Sequence, residues 1–127
     1  MSTRPDPPLP RNFLRPCVLL LLRESPAHGY DLLERLRAFG FGRPDPGGLY
    51  RALRALEEEG LVRSGWAASA SGGPDRRVYE ITRAGTLHLH RHVLALEDTR
   101  RVLDALLSRY EEFVAMPRVA EQAHVER

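Results

Sequence analysis

Lysine is missing from this chain of 127 residues: all 19 basic residues are arginine. Schiff-base chemistry and a lysine-bearing phosphate loop are excluded with it. Arginine-only usage follows from genome base composition as readily as from a need for two-pronged contacts. Cysteine occurs once, at Cys17, so no disulfide can close within the chain and nothing points to secretion. Long apolar runs are also lacking. The longest, Cys17–Leu22, falls far short of the ~20 residues that span a bilayer. Arg4 and Arg11 ahead of it imitate a signal peptide, but Arg23 and Glu24 close the run and no clean cleavage site follows. The sequence therefore reads as cytoplasmic with no membrane partner. Neither sign of charge dominates, at 19 basic against 17 acidic residues and a net charge of +2. A nucleic-acid partner has to be argued from where the arginines sit. The length is that of one ordinary domain, too short for a multi-domain enzyme with a large internal cleft.

Residues 1–10 carry four prolines and little to bury, which predicts a flexible arm. A first helix is expected over Phe13–Arg23, with Pro16 tolerable only in its first turn. A second fits Gly29–Ala38, with Tyr30, Leu32, Leu33 and Leu36 as its apolar stripe. Gly40 reads as a C-terminal cap, and Asp45-Pro46 as an N-cap and first helical position. The third helix, Gly47–Glu59, points Leu49, Leu53 and Leu56 inward, and Gly60 ends it. Strands are expected over Leu61–Trp66 and Arg77–Ile81, joined by a loop with Gly72-Gly73-Pro74-Asp75 turn chemistry. From Thr82 the helical period returns and holds to Val114 or Met116, with Pro117 as the stop. Some 30 residues make a helix of ~45–50 Å, whose apolar stripe needs a partner; a second copy of the chain is the simplest one.

The fold class is thus mainly α with a small β-hairpin: a winged helix-turn-helix over 11–82, a long C-terminal dimerisation helix over 83–116, and a frayed tail over 117–127. That plan suits duplex DNA. The third helix fits a major groove ~12 Å wide. Pro46-Gly47-Gly48 at its start has little bulk, so the backbone N–H groups of Gly47 and Gly48 are expected to approach phosphate. Arg51 and Arg54 lie on the outward face, within reach of guanine edges or phosphates. Tyr50 offers a hydroxyl to phosphate, and Arg76 and Arg77 stand at the hairpin tip. For self-association the expected residues are Leu89, Val93, Leu96, Leu103, Leu106, Leu107, Tyr110 and Phe113. Leu14 and Val18 join them, because the first helix is apolar over too wide an arc for core alone.

Four segments of the chain together resemble one family. His28-Gly29-Tyr30-Asp31-Leu32, Gly48-Leu49-Tyr50-Arg51-Ala52-Leu53, Leu56-Glu57-Glu58-Glu59-Gly60-Leu61-Val62 and Arg77-Val78-Tyr79-Glu80-Ile81-Thr82-Arg83-Ala84-Gly85, in that order, are similar to the PadR-like transcriptional regulators. The likeness covers about residues 12–110. Asn12-Phe13-Leu14-Arg15-Pro16-Cys17 and Asp45-Pro46-Gly47-Gly48-Leu49-Tyr50 look most like its polyhydroxybutyrate-responsive repressor branch. The resemblance implies a homodimeric repressor on double-stranded DNA, with the third helix in the major groove and the wing on the backbone. It implies dimerisation by the last helix with help from the first. It adds His28 and Gly29 as a second-helix start that approaches phosphate. It also implies release by a small hydrophobic or aromatic effector bound near the dimer interface, with no cofactor.

Other readings are weaker. Glu57-Glu58-Glu59 would repel phosphate and is expected to point away from DNA; it has no companion acids for catalysis. His88 and His92 are one turn apart, but no Cys or acidic ligand completes a metal site. Cys17 is expected to be a buried small hydrophobe, and Trp66 a core or domain-packing residue. No nucleophile–base pair or glycine-rich cofactor loop supports an enzyme. The alternative function is a winged-helix protein–protein adaptor that does not bind DNA, against which the basic outward face of the third helix argues.

Overall fold

In the computed structural model, residues 12–40, 45–68 and 72–116 are described. The expected arm over 1–10, the tail from Pro117, part of the connector before the third helix and part of the hairpin loop lie outside them. The elements run α1 (Leu14–Glu24), β1 (Ala27–His28), α2 (Gly29–Leu36), a 3-10 turn (Arg37–Phe39), α3 (Pro46–Glu58), β2 (Val62–Ala67), β3 (Arg76–Ile81) and α4 (Arg83–Val114). Mostly helical with a small antiparallel sheet, this is a winged helix with a long last helix. The chain divides into two units, Met1–His92 and Val93–Arg127.

In the first unit, leucine spacing sets the packing. Leu32 and Leu36 of α2 and Leu49, Leu53 and Leu56 of α3 are fully buried against Cys17, Val18, Leu19 and Leu22 of α1. Repeats of three and four residues place these side chains on one face of each helix. Pro16 is the third residue of α1, where its missing N–H has no intrahelical partner to lose. Burial also pushes the Cys17 thiol up to about 11, so the sulfur is an inert apolar filler.

Turn chemistry ends the helices where the residue types require. Gly40 takes φ 90° and closes the 3-10 turn, and Gly60 takes φ 76° just after α3. Asp45 caps α3: its two carboxylate oxygens accept from the N–H groups of Gly47 at 3.2 Å and Gly48 at 3.0 Å, and Pro46 fills the first position. Thr82 caps α4. Its hydroxyl accepts from the Gly85 N–H at 3.0 Å and donates to the Gly60 carbonyl at 2.7 Å.

The sheet has the order β1-β3-β2, all antiparallel. β1 was not legible in the sequence: two residues, Ala27 and His28, pair with Tyr79 and Val78, too short a run to carry a period. Alternation puts Val62, Ser64 and Trp66 on one face with Ile81, Tyr79 and Arg77, and Arg63, Gly65 and Ala67 on the other with Glu80, Val78 and Arg76. Val62 and Tyr79 are buried, so the first face is the one turned to the core.

Polar residues of α1, α3 and α4 meet beside the core. Arg15 pairs with Glu59 at 2.6 Å and holds that carboxyl below the usual carboxylate range. The rings of His88 and His92 lie edge to face, 6.2 Å apart. Burial, then His88 and Arg15, holds the His92 imidazole below its ordinary value near 6.5. The unfolded chain therefore takes up this proton first as pH falls. We expect His92 to leave stability unchanged above about pH 7 and to reduce it as pH drops through about 6.5 toward the lower folded value. Thermal melts should show a shallower acid-side loss for His92→Gln; an identical pH dependence would remove this role.

In the second unit, α4 presents Val102, Leu103, Leu106, Leu107, Tyr110, Phe113 and Val114, all exposed. At 3.6 residues per turn they fall within an arc of roughly 140°. The charged Glu97, Asp98, Arg101, Asp104, Arg109 and Glu112 take the rest of the circumference.

Candidate nucleic-acid interface

α3 stands with Leu49, Leu53 and Leu56 in the core and Tyr50, Arg51 and Arg54 on its outward face, all three exposed. Arg51 reaches back to the Asp45 carboxylate at 3.5 Å, a loose and solvent-exposed pair. Arg54 has no ion-pair partner among the described residues. Glu57 and Glu59 are turned to other work: Glu57 accepts from the Ser64 hydroxyl at 2.8 Å, and Glu59 pairs with Arg15.

β3 outruns β1 by Arg76 and Arg77, and the gap opens a groove of about 530 Å³. His28, Gly29, Tyr30, Tyr50, Arg76, Arg77 and Tyr79 line it. A Cβ at Gly29 would lie 2.2 Å from the Tyr50 hydroxyl, so a larger residue there would have to displace the Tyr50 ring. Tyr50 lies across the start of α2, whose N-cap makes no side-chain hydrogen bond to the first turn. The His28 Nε2 lies 3.2 Å from both Asp31 and Arg76. One ring nitrogen cannot accept from Arg76 and donate to Asp31 at once, so its proton decides which neighbour it holds. On the hairpin's core face, Arg77 lies over the indole of Trp66 at 5.0 Å from the ring centroid. Burial pushes the Tyr79 phenol up from its ordinary value of 10.0.

Of the residues expected to meet DNA, His28, Tyr50, Arg76 and Arg77 thus share one groove, and Arg51 and Arg54 flank it on α3. Four expectations are corrected. The N–H groups of Gly47 and Gly48 are not open to phosphate, because the Asp45 carboxylate takes both. Trp66 is 69% exposed rather than packed in a core. Tyr30 is 65% exposed and belongs to the groove, since Gly29, Leu32 and Leu36 already form the buried face of α2. Val18 and Leu89 are buried in the chain's own core and leave no surface for a second copy. Sequence reasoning missed Tyr30 and Tyr79 as groove residues; the signal for Tyr79 lay in its position two residues after Arg77, on the same strand face.

A three-helix core with a hairpin wing and a basic outward third helix defines a winged-helix protein. Comparison places it further. Residues 18–91 match the model of the transcriptional regulator PadR-like family. A conserved protein of unknown function, described as a potential transcriptional factor, is 36% identical over 86% of this chain and 100% of its own, with a TM-score of 0.71. A PadR-like transcriptional regulator from Bacillus cereus is 28% identical over 74% of this chain and 90% of its own, with a TM-score of 0.67. PadR of Bacillus subtilis, solved in complex with operator DNA, shares the fold at 23% identity over 66% of this chain and 48% of its own, with a TM-score of 0.58. No curated protein matches. The chain belongs to the PadR-like family, a family of transcriptional regulators rather than enzymes.

Proposed function

We propose that this regulator is a homodimeric, sequence-specific repressor of the cytoplasm that binds a pseudo-palindromic operator in double-stranded DNA. Residues 11–82 read the DNA and 83–116 dimerise. α3 enters the major groove with Tyr50, Arg51 and Arg54, while His28, Arg76 and Arg77 grip the flanking phosphates. The observation that carries this reading is the shared groove, in which residues from β1, α2, α3 and β3 converge. Their side chains supply cations and hydroxyl donors, the groups that phosphate oxygens accept from. Among the described residues no helix is long and apolar enough to cross a membrane. The Bacillus subtilis relative was solved on operator DNA, which supports the same partner here.

Two α3 helices related by a two-fold axis call for half-sites about one helical turn apart. A small hydrophobic or aromatic effector releases the repressor by binding its DNA-free and DNA-bound states unequally. Immunoprecipitation of the protein with genomic DNA would define the operator for quantitative work. On that operator Arg54→Ala should weaken binding by about 1–3 kcal/mol and relax specificity at one position per half-site. Arg51→Ala should cost less, because Asp45 already shares that charge. Unchanged gel-shift affinity for both variants would remove α3 from the reading role.

A further inference from the structure

The hairpin holds Arg77 differently from the four arginines that sit in ion pairs. Arg15, Arg51, Arg63 and Arg101 each face a carboxylate, on Glu59, Asp45, Glu80 and Asp98 respectively. A carboxylate neutralises the guanidinium and occupies its N–H fork. Arg77 instead lies over the face of Trp66, directly across the β2–β3 ladder, and has no carboxylate partner among the described residues. A ring, unlike a carboxylate, carries no formal charge to neutralise the guanidinium and no oxygens to fill its N–H fork. The in-plane N–H groups and the full charge stay available.

Position adds to this. The next cross-strand pair inward on the same face is Ser64 with Tyr79. Ser64 donates to Glu57 of α3, and Tyr79 shares the groove with Tyr50 of α3. The Trp66–Arg77 pair is therefore on the α3 side of the wing, one step toward the tip. Trp66 is the only tryptophan of the chain and stays 69% exposed. It fills no core, and what it does hold is the arginine.

We propose that Trp66 is a positioning residue for the DNA-binding wing: it keeps Arg77 flat and uncompensated, with its N–H edge turned to a backbone phosphate beside α3. This rests on the DNA-reading proposal above. Phosphate contact is independent of sequence, so a random-sequence 24-base-pair duplex serves as the probe. Its binding is followed by anisotropy across a salt series.

Arg77→Gln should lower the slope of log affinity against log salt by about 1 per subunit. Trp66→Leu, which keeps bulk and removes the ring face, should give the same decrease. Trp66→Phe should keep the parent slope, and the double variant Trp66→Leu with Arg77→Gln should be no weaker than Arg77→Gln alone. In the free protein Arg77→Gln should make the indole more accessible to acrylamide quenching, a readout that needs no DNA. A parent slope in Trp66→Leu, or losses that multiply in the double variant, would overturn the positioning role and leave the DNA reading standing. Parent protein with no salt-dependent binding to duplex would overturn both.

Discussion

Replacing Leu103 and Leu107 together by aspartate is expected to give a folded monomer that binds its operator some 10²–10⁴-fold more weakly than the parent. The size of the effect comes from linkage rather than from any lost DNA contact. In the proposed dimer, once one α3 is seated the second would be held at a high effective concentration, so that its binding becomes intramolecular. Without the dimer each half-site is bound alone. Leu103 and Leu107 are one turn apart and each is 53% exposed, so aspartate there leaves the buried cluster of α1–α3 untouched. In a dimer the same carboxylates would be buried without partners, which is strongly unfavourable.

Sedimentation equilibrium should show the change in mass, and titration against an isolated half-site should show nearly parent affinity. Circular dichroism is expected to lose part of the α4 signal, because a helix with no packed face is marginal in water. A double aspartate variant that remained a dimer would rule out this stripe as the interface.

The fold was legible where leucines recur at helical spacing and where a turn demands one residue type. Leu49, Leu53 and Leu56 define the buried side of α3, Asp45-Pro46 its start and Gly60 its stop; each follows from local rules and each stands in the structure within a residue. What the sequence did not yield was decided by competition for a partner. The cap at Asp45 was legible; that it withholds the Gly47 and Gly48 N–H groups from phosphate follows only from the geometry, since a cap and a phosphate site need the same donors. β1 owes its existence to β3, not to its own two residues.

Trp66 has the residue type of a core and the position of a strand end, and only the register with Arg77 explains it. Val18 and Leu89 fit the apolar spacing of a dimer face equally well, but spacing cannot tell which surface covers a stripe. The site itself was partly legible. Arg76 and Arg77 at the tip, and Tyr50 and Arg54 on α3, were visible as exposed polar positions. Their convergence with His28 and Tyr79 required the tertiary fold.

Gly85→Ala should be the most destabilising single methyl in the first unit, at about 3 kcal/mol. Gly85 is the third residue of α4, and it is buried against the turn between α3 and β2. A Cβ there would lie 2.1 Å from the Leu61 carbonyl oxygen and 2.7 Å from Ile81. The oxygen cannot simply swing away. It accepts the Thr82 N–H at 3.0 Å, and the Gly60 carbonyl beside it accepts the Thr82 hydroxyl. Moving it would loosen the cap that starts α4 as well as the packing.

Overpacking of this kind costs about 1–3 kcal/mol and sometimes more, against a gain of about 1 kcal/mol for alanine over glycine within a helix. The capped, backbone-lined site puts the cost just above that range, at about 4 kcal/mol, and the difference at about 3 kcal/mol. In a domain of this size the melting temperature should fall by roughly 10 °C or more. Gly65→Ala is the matching control. Nothing lies within 4 Å of a Cβ there, and that variant should melt at or slightly above the parent temperature. Equal melting temperatures for Gly85→Ala and the parent would mean that the α4 start can shift away from Leu61 at little cost, and that glycine is not required at its third position.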